Sequence, residues 1–460
     1  MSNTIVTASG NAELATDSWA DTDSLAAWEK NITESGDSRM QRGRPGLTDI
    51  VFLLVLLAGA AYAIMRYPDA MDYYEKAILV GMTFVATWLG WLWRPARKLM
   101  IACALAAGLA IWLYDGQLAH AESNFMLKYL LSSQSAILWM CALFFMATVC
   151  YWIGFVSTTG AWMGSALTWA GVFAGFTGLL VRWREGHLIA PDMGHIPVSN
   201  LYEVFVLFCL ITALFYLYYE KRYNTRALGG FVLLVISSAV IFLLWYTFER
   251  DAAVITPLNN ALRSWWMKLH VPANFIGYGS FALSAMVGFA YLVKQHGATT
   301  SWKPMIPLLL VGGAMVSELF IFRDKENVGF WLVYFLASLA IVAAILLGRR
   351  VIAAKLPPLE VLDDIMYRSI SIGFAFFTVA TILGAFWAAD AWGTYWQWDP
   401  KETWAFIVWL NYAAWLHLRL MKGMRGTFAA YWALVGLVIT SFAFLGVNIF
   451  LSGLHSYGEL

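Results

Sequence analysis

The chain has 460 residues, of which 60% are hydrophobic and only 13% are Asp, Glu, Lys or Arg. Soluble domains carry about 25% charged residues, so this composition excludes a water-soluble globule. The 30 Lys and Arg residues against 29 Asp and Glu give a net charge of +1, so no strong field would attract nucleic acid.

Residues 1–46 predict a disordered, acidic tail. Seven carboxylates precede a cluster of arginines at Arg39, Arg42 and Arg44, with no sustained apolar period. The segment has no basic region followed by an apolar core, which a secretory signal would require. We therefore expect a disordered tail that is not a secretory signal.

Apolar runs long enough to cross about 30 Å of hydrocarbon as helices follow the tail. We predict thirteen spans, and hence an all-α polytopic integral membrane protein. They lie near 47–66, 76–93, 99–114, 135–156, 161–181, 199–219, 227–247, 272–293, 304–322, 330–348, 369–389, 402–421 and 428–450.

Lys and Arg in the loops predict the orientation, because cytoplasmic loops carry an excess of these residues. With the tail inside, eighteen of them face the cytoplasm and eleven face the opposite side. The N-terminus is thus predicted to be cytoplasmic and the C-terminus extracytoplasmic. Five histidines are then predicted on the outer side: His120, His187, His195, His270 and His455. His296 is predicted on the inner side, and His417 lies within a span.

Tryptophans concentrate near the C-terminus, where seven of the 24 lie between Trp387 and Trp415. An interfacial belt needs only one or two per helix end, so the cluster calls for another cause. Gly393 permits a tight turn, and Trp392, Trp396 and Trp398 are predicted to line a flat apolar shelf near the outer surface. Such a shelf suits a porphyrin, because indole rings stack on a macrocycle and their N–H groups can meet its propionates.

Two helix starts account for several polar residues. Asp399, followed by Pro400 and then by Glu402, has the pattern of an N-cap, a first-turn proline and a capping box. Asn200 and Glu203 have the same spacing at the start of another span. We favour helix initiation as the role of both pairs.

His270 and His455 are candidates for holding haem iron. His270 lies two residues before Pro272, which is predicted to open a span, and His455 follows the last span. Both would reach the outer surface at the depth of the tryptophans, and two neutral imidazoles on opposite sides are a usual way to hold haem iron. For either histidine alone, a polar residue at the membrane interface is the alternative.

The position of His417 in the sequence places it deeper in the membrane than His270 and His455. It lies 17 residues after Pro400, which corresponds to about 25 Å of depth along one helix. An ionisable group in the membrane is a functional candidate, and the alternative is an interfacial histidine beside Arg419. No second histidine of the chain shares that depth, so an inner haem would need its other ligand from elsewhere.

The stretch WGTYWQWDPKETW, the later LHLR and the terminal GLHSYG resemble the CcsA or ResC type of cytochrome c biogenesis protein, a haem-handling family with a tryptophan-rich WWD domain that acts in the System II pathway. The resemblance covers about residues 135–460. It implies that His270 and His455 are the axial ligands and catalytic residues of an outer haem, and that His417 ligates haem within the membrane. It also implies haem binding by the tryptophan-rich segment, through Trp392, Trp396, Trp398 and Asp399.

The reaction implied by this resemblance is delivery of haem b across the bacterial cytoplasmic (inner) membrane and its covalent attachment to Cys-x-x-Cys-His motifs of apocytochrome c. This is the activity of a holocytochrome c synthase of the lyase type. A CcsB or ResB type membrane partner would supply the ligand opposite His417, and thiol-reducing thioredoxin-like proteins are further implied partners. Three N-terminal spans within 47–134 and an inserted helical pair near 297–350 have no counterpart in the resemblance, which leaves 135–460 as the haem-handling core.

Two other functions fit a membrane protein that handles haem. A b-type electron-transfer subunit would place pairs of histidines inside facing spans, whereas here only His417 lies deep. A haem or solute transporter without synthase activity would place its site near the midplane, between broken helices. The aromatic cluster is instead predicted at the surface.

Overall fold

The computed structural model describes residues 45–69, 71–190, 193–317, 328–451 and 453. Within these ranges the chain is helical and forms no β-strand. An all-α architecture is therefore confirmed for the described part of the chain. Almost all of the predicted tail lies outside the described residues.

Each predicted span corresponds to one long helix of the described chain, and we number these helices in order. They are α1 (Leu47–Arg66), α2 (Tyr73–Leu92), α3 (Arg94–Tyr114), α4 (Ser133–Ile153), α5 (Thr158–Ile189), α6 (Leu201–Arg222), α7 (Gly229–Glu249), α8 (Met267–Gln295), α9 (Met305–Ser317), α10 (Val328–Leu347), α11 (Leu359–Trp392), α12 (Pro400–Lys422) and α13 (Gly426–Ser441). Short helical segments lie at His120–Ser123, Leu127–Leu131, Asn260–Arg263 and Arg349–Lys355, and α13 continues through Phe442–Gly446 and Val447–Phe450.

Nine helices of the described chain are long and apolar enough to cross a membrane, or ten if α10 and the segment Arg349–Lys355, bent by 69°, form one span. The chain is thus a multi-pass membrane protein. The helices α2, α9 and α12, and α10 taken alone, are not among the nine. In α12 the polar residues Asn411, His417 and Arg419 and several tryptophans lower the hydropathy, and α9 has only 13 described residues. Thirteen spans and the orientation of the termini stay predictions.

Helix α8 forms the centre of the bundle. It packs against α6, α7, α11 and α13, and 94% of its most apolar stretch is buried inside the protein, compared with 17% for α1. The helix begins at Met267, so His270 lies inside its first turn, and Pro272 does not open the helix as predicted. Pro272 is the sixth residue of α8, so only about one helical turn precedes it and a single backbone bond, to the Lys268 carbonyl, is lost.

The predicted caps form at both helix starts. The side chain of Asp399 accepts a hydrogen bond from the Lys401 amide at 2.9 Å, and Glu402 accepts one from the Asp399 amide at 3.2 Å. Asn200 caps α6 by accepting the Glu203 amide at 2.9 Å. Glu203 does not form the reciprocal bond to the Asn200 amide that a capping box would have.

The Glu203 carboxylate bonds instead to Ser199 and to Arg182, whose Nε lies 2.7 Å from it in a buried ion pair. An ion pair of this kind needs both members, because removing either would leave an uncompensated buried charge. Glu203 thereby joins α6 to α5.

The N-terminal helices attach to the core at two places. Helix α3 packs against α5, while the start of α2 meets the start of α8. There Glu75 forms an ion pair with Lys268, and the ring of Tyr74 stacks on that of Trp265 with centroids 4.4 Å apart. These contacts lie within one to two helical turns of His270.

Candidate haem-binding site

A cavity lies where the first turns of α6, α8 and α12 meet the last turns of α11. We call it the histidine cavity, since His270 is part of its wall. It contains about 1200 Å³ of space between the atoms, part of which is open to the surroundings. Its wall combines aromatic and aliphatic side chains with a few polar ones, which is typical of sites for small molecules. Its polar and charged members are Ser199, Asn200, His270, Asn274, Thr381, Lys401, Glu402 and Asn448.

The imidazole of His270 is held on two sides. Its Nδ1 lies 2.7 Å from the carbonyl oxygen of Ala380 in α11, and its Nε2 lies 3.2 Å from Nδ2 of Asn274, one turn along α8. A carbonyl can only accept, so Nδ1 carries the proton. Nε2 then presents its lone pair to the Asn274 amide, which donates to it.

This arrangement matches that of a histidine prepared for a metal. Ligating histidines donate their second N–H to a carbonyl or carboxylate, which fixes the tautomer and the ring orientation. Gly384 makes the approach of the two helices possible, because a Cβ atom there would lie only 2.8 Å from Cε1 of His270. Helix α11 therefore supplies both the acceptor and the space for the imidazole.

The predicted tryptophans occupy three different environments. Trp396 is half-buried and lines the histidine cavity. Trp392 packs against Trp387 with ring centroids 5.5 Å apart, and it is Trp387 that lines the cavity and lies 5.6 Å from the ring of His270. The side chain of Trp398 is 67% exposed and does not line the cavity.

The backbone between α11 and α12 turns sharply. Gly393 ends α11 in the left-handed region with φ of +81°, as its sequence position predicts. Trp398 also has a positive φ, of +57°, which is uncommon for a residue with a side chain. The two turns fold residues 393–399 back so that Tyr395 and Trp396 face the histidine cavity.

Asp399 is buried and acts as the cap of α12. It also meets the C-terminal segment, because a Cβ atom on Gly453 would collide with its carboxylate. The predicted ligand His455 lies outside the described residues, two positions after Gly453 in the sequence. The structure thus brings His270, Trp396 and Asp399 to one end of the bundle.

His417 lies near the other end of α12 and is exposed on the surface of the protein. Two residues later, Arg419 is drawn into the bundle by an ion pair with Asp363 of α11, in which Nη1 lies 3.0 Å from Oδ1. Its guanidinium also lies over the ring of Tyr367, 5.1 Å from the centroid. His417 and Arg419 therefore point in different directions, although they are neighbours in sequence.

Several residues of the site were not predicted. Asn274 has a simple signal, since it lies four residues after His270 and so shares its helix face. Gly384 and Ala380 have no comparable signal in the sequence, because their roles depend on how α11 packs against α8. Lys401 was counted only among the eleven Lys and Arg residues predicted to face the outer side.

A second cavity, of about 1270 Å³, lies deeper among α6, α7, α8, α9, α10 and α13. It shares Tyr278 and Phe444 with the histidine cavity. Its described lining is apolar apart from hydroxyl groups and contains no histidine. This cavity therefore lacks an imidazole with which to hold iron.

Comparison with known proteins identifies the relatives of the chain. The family model described as cytochrome C assembly protein matches residues 198–455, a range that includes the histidine cavity and residues 297–350. Proteins named cytochrome c biogenesis protein CcsA are similar over most of their length. The relative from Chlorella vulgaris is 34% identical over 336 residues, covering 69% of this chain and 96% of the relative.

Two cyanobacterial relatives of the same name agree. The protein from Trichormus variabilis is 33% identical over 344 residues, with 69% of this chain and 95% of the relative covered. That from Gloeobacter violaceus is 35% identical over 303 residues, with coverage of 62% and 83%. The resemblance found in the sequence is thus confirmed, and the chain belongs to the cytochrome c assembly family as a protein of the CcsA type.

Proposed function

We propose that this protein delivers haem across a membrane and, together with a partner of the CcsB or ResB type, attaches it to apocytochrome c. The membrane is the bacterial cytoplasmic (inner) membrane in this proposal, and haem b is the substrate. Family membership supports a role in cytochrome c biogenesis. The observation that carries the haem-handling role is His270, whose imidazole borders an aromatic cavity with Nδ1 bonded to the Ala380 carbonyl.

In this proposal His270 binds the iron of the haem through Nε2. The Ala380 carbonyl keeps the proton on Nδ1, so Nε2 is unprotonated and ready to coordinate. Iron would coordinate the Nε2 lone pair of His270, to which the Asn274 amide donates in the structure. His455 would bind from the opposite face, and the position of Gly453 against Asp399 supports a C-terminal segment at this end of the bundle.

The aromatic wall would hold the macrocycle itself. Trp387, Trp396 and Tyr395 offer large apolar surfaces beside His270, and stacking on such rings is favourable for a flat ligand. Trp392 supports this wall from behind through Trp387. Trp398 and Asp399 would act at its edge, with Asp399 fixing the start of α12.

The covalent step adds a cysteine S–H across each vinyl double bond of the haem. Sulfur bonds to one vinyl carbon and hydrogen to the other, so the addition is redox-neutral but needs both cysteines as thiols. Thioredoxin-like proteins would keep them reduced. The protein's part is to hold the iron and expose the vinyl groups until the histidine of the acceptor motif displaces His270 or His455.

His417 would bind a second haem inside the membrane, with the opposite ligand supplied by the partner. Its exposure on α12 supports this proposal, since a partner helix could reach it. The neighbouring ion pair of Arg419 with Asp363 would fix that end of the helix against α11.

The test is co-expression with the partner and a Cys-x-x-Cys-His acceptor in cells that lack their own pathway. Covalent haem is scored on denaturing gels. We expect His270→Ala and His455→Ala each to abolish the product, while His195→Ala, a histidine near the cavity but outside its lining, retains it. Full activity of both ligand variants would contradict the outer site, and haem bound without any covalent product would favour a transporter.

A further inference from the structure

We propose that Lys401 binds a propionate carboxylate of the haem and thereby sets which edge of the macrocycle faces outward. The inference rests on the proposed haem-binding function of the histidine cavity. It assigns a role to a residue that helix initiation does not explain, because the cap of α12 uses only the backbone amide of Lys401.

The location of Lys401 is the first argument. Lys401 lies in the first turn of α12 and lines the histidine cavity together with Glu402 and, one turn further along the helix, Ala405. Among the described residues of the lining, Lys401 is the single lysine or arginine. The remaining wall is largely aromatic and aliphatic, so an anion entering the cavity would find its strongest attraction here.

The second argument is that the nearby acids are already engaged. Asp399 accepts the Lys401 amide, and Glu402 accepts the amides of Gln397 and Asp399 at 2.8 and 3.2 Å. Within the described residues, no carboxylate or carbonyl lies within hydrogen-bonding distance of the Lys401 ammonium. A half-buried ammonium in this situation is stabilised by an anion that arrives with a ligand.

The electrostatics agree with this geometry. Lys401 precedes the predicted span at 402–421, and its removal from solvent lowers the pKa of its ammonium to about 8. Asp399 acts in the opposite direction and keeps part of the charge stabilised. The ammonium is thus still protonated at neutral pH, but at a cost that a bound carboxylate would remove.

The role follows from the shape of the substrate. Haem b carries its two propionates on one edge and its vinyl groups away from them. A propionate held at the start of α12 would turn the vinyl groups away from that helix, toward the opposite side of the cavity. His270 fixes the iron, and Lys401 would fix the rotation about the iron–nitrogen axis.

The experiment compares haem with its dimethyl ester, which has the same macrocycle and no carboxylate. Both are titrated into the purified full-length protein and followed by visible absorption. We expect the wild type to bind haem about tenfold more tightly than the ester, since a hydrogen bond between charged groups is worth at least that ratio. In Lys401→Met this preference should vanish through weaker haem binding, with ester binding unchanged.

Two controls sharpen the result. Lys422→Met changes an exposed lysine at the other end of the same helix and should keep the preference. Lys401→Arg should restore part of it, because the guanidinium also binds carboxylates. The resonance Raman signal of the propionates should shift in Lys401→Met but not in Lys422→Met.

The outcomes separate this inference from the proposed function. Equal binding of haem and ester by the wild type, with both lost in His270→Ala, would overturn the role of Lys401 and leave the haem site intact. Equal losses for haem and ester in Lys401→Met would indicate a purely structural role and would also overturn it. Failure of the wild type to bind either ligand would contradict both proposals.

Discussion

The two ends of α12 offer different settings for a histidine ligand. At its start, the histidine cavity is built by α6, α8, α11, α12 and the continuation of α13, and the imidazole of His270 is oriented by α11. Near its end, His417 lies exposed on the helix surface. The first setting provides a shaped enclosure, whereas the second offers a single coordinating group on an open face.

This difference indicates which of the two histidines could bind a flat ligand within the chain alone and which would need a second protein. Binding a flat ligand needs surfaces on several sides, and the chain itself brings these to His270. At His417 the proposed second haem would need such surfaces from another protein or from lipid. The ion pair of Asp363 with Arg419 makes the second setting rigid without enclosing it.

The largest expected effect is on haem bound by the chain purified without a partner. His270→Ala should reduce the haem content at least tenfold, because even the residues that support a metal ligand typically contribute 10–100-fold to affinity. His417→Ala should leave it unchanged in this preparation and should lower haem content only when the partner is present. Haem is measured by pyridine haemochrome absorption relative to protein.

The reverse pattern would contradict the comparison. If His417→Ala removed haem from the isolated chain while His270→Ala did not, the enclosed cavity would not be the haem site. The far end of α12 would then bind haem without a partner.

Asp363→Asn tests the rigidity of the His417 end. The change leaves Arg419 buried opposite a neutral group, and breaking a buried pair in this way costs about 3–5 kcal/mol. We expect a clearly lower unfolding temperature in detergent. Asp364→Asn is the matched control, because its ion pair with Arg368 is partly exposed and should contribute less than about 1 kcal/mol. Equal effects would mean that burial does not distinguish the two pairs.

Gly384→Ala tests how His270 is positioned. The added methyl group would lie 2.8 Å from Cε1 of the imidazole, so the ring must move away from the Ala380 carbonyl. We expect haem affinity to fall by about tenfold, since outer-shell partners of metal ligands typically matter by 10–100-fold. Gly108→Ala, in open space on α3, should have no effect on haem binding. Unchanged affinity of Gly384→Ala would contradict the orienting role of α11.

The smallest effect is expected for Asn274→Ala. The Asn274 amide donates to Nε2 of His270 and so competes with iron for the same lone pair. Removing a net contribution of about 0.5–1.5 kcal/mol should tighten haem binding by roughly 2- to 10-fold. Asn448→Ala, another amide of the cavity wall, should not tighten it. Weaker binding in Asn274→Ala would show that the amide supports the bound state instead.

The fold was largely predictable, because its helices depend on long apolar runs. The start of α12 at Pro400 and the end of α11 at Gly393 follow from local rules of capping and turning. The start of α8 was predicted five residues too late, since a proline can be accommodated near the beginning of a helix. Counting spans was harder, because α12 mixes polar residues and tryptophans with aliphatic ones.

The sequence indicated some of the residues at the histidine cavity but not its geometry, and the roles of those residues in binding haem stay predictions. His270 and Trp396 carry recognisable local signals, whereas the roles of Ala380 and Gly384 come from the packing of α11 on α8. Helix packing depends on side chains far apart in the sequence, and no local pattern reports it. Trp392 packs against Trp387, and its predicted contact with a ligand stays a prediction.

Trp398 combines a left-handed backbone with a large, exposed side chain. Glycine would adopt this conformation without the steric penalty that a Cβ atom brings. The indole contacts the rings of Trp396 and Phe406, but tryptophan at this position brings neither a relaxed backbone nor a buried side chain. We therefore expect the exposed indole to serve as a contact surface for other molecules. Replacing Trp398 should then change binding to those molecules more than it changes the stability of the isolated protein.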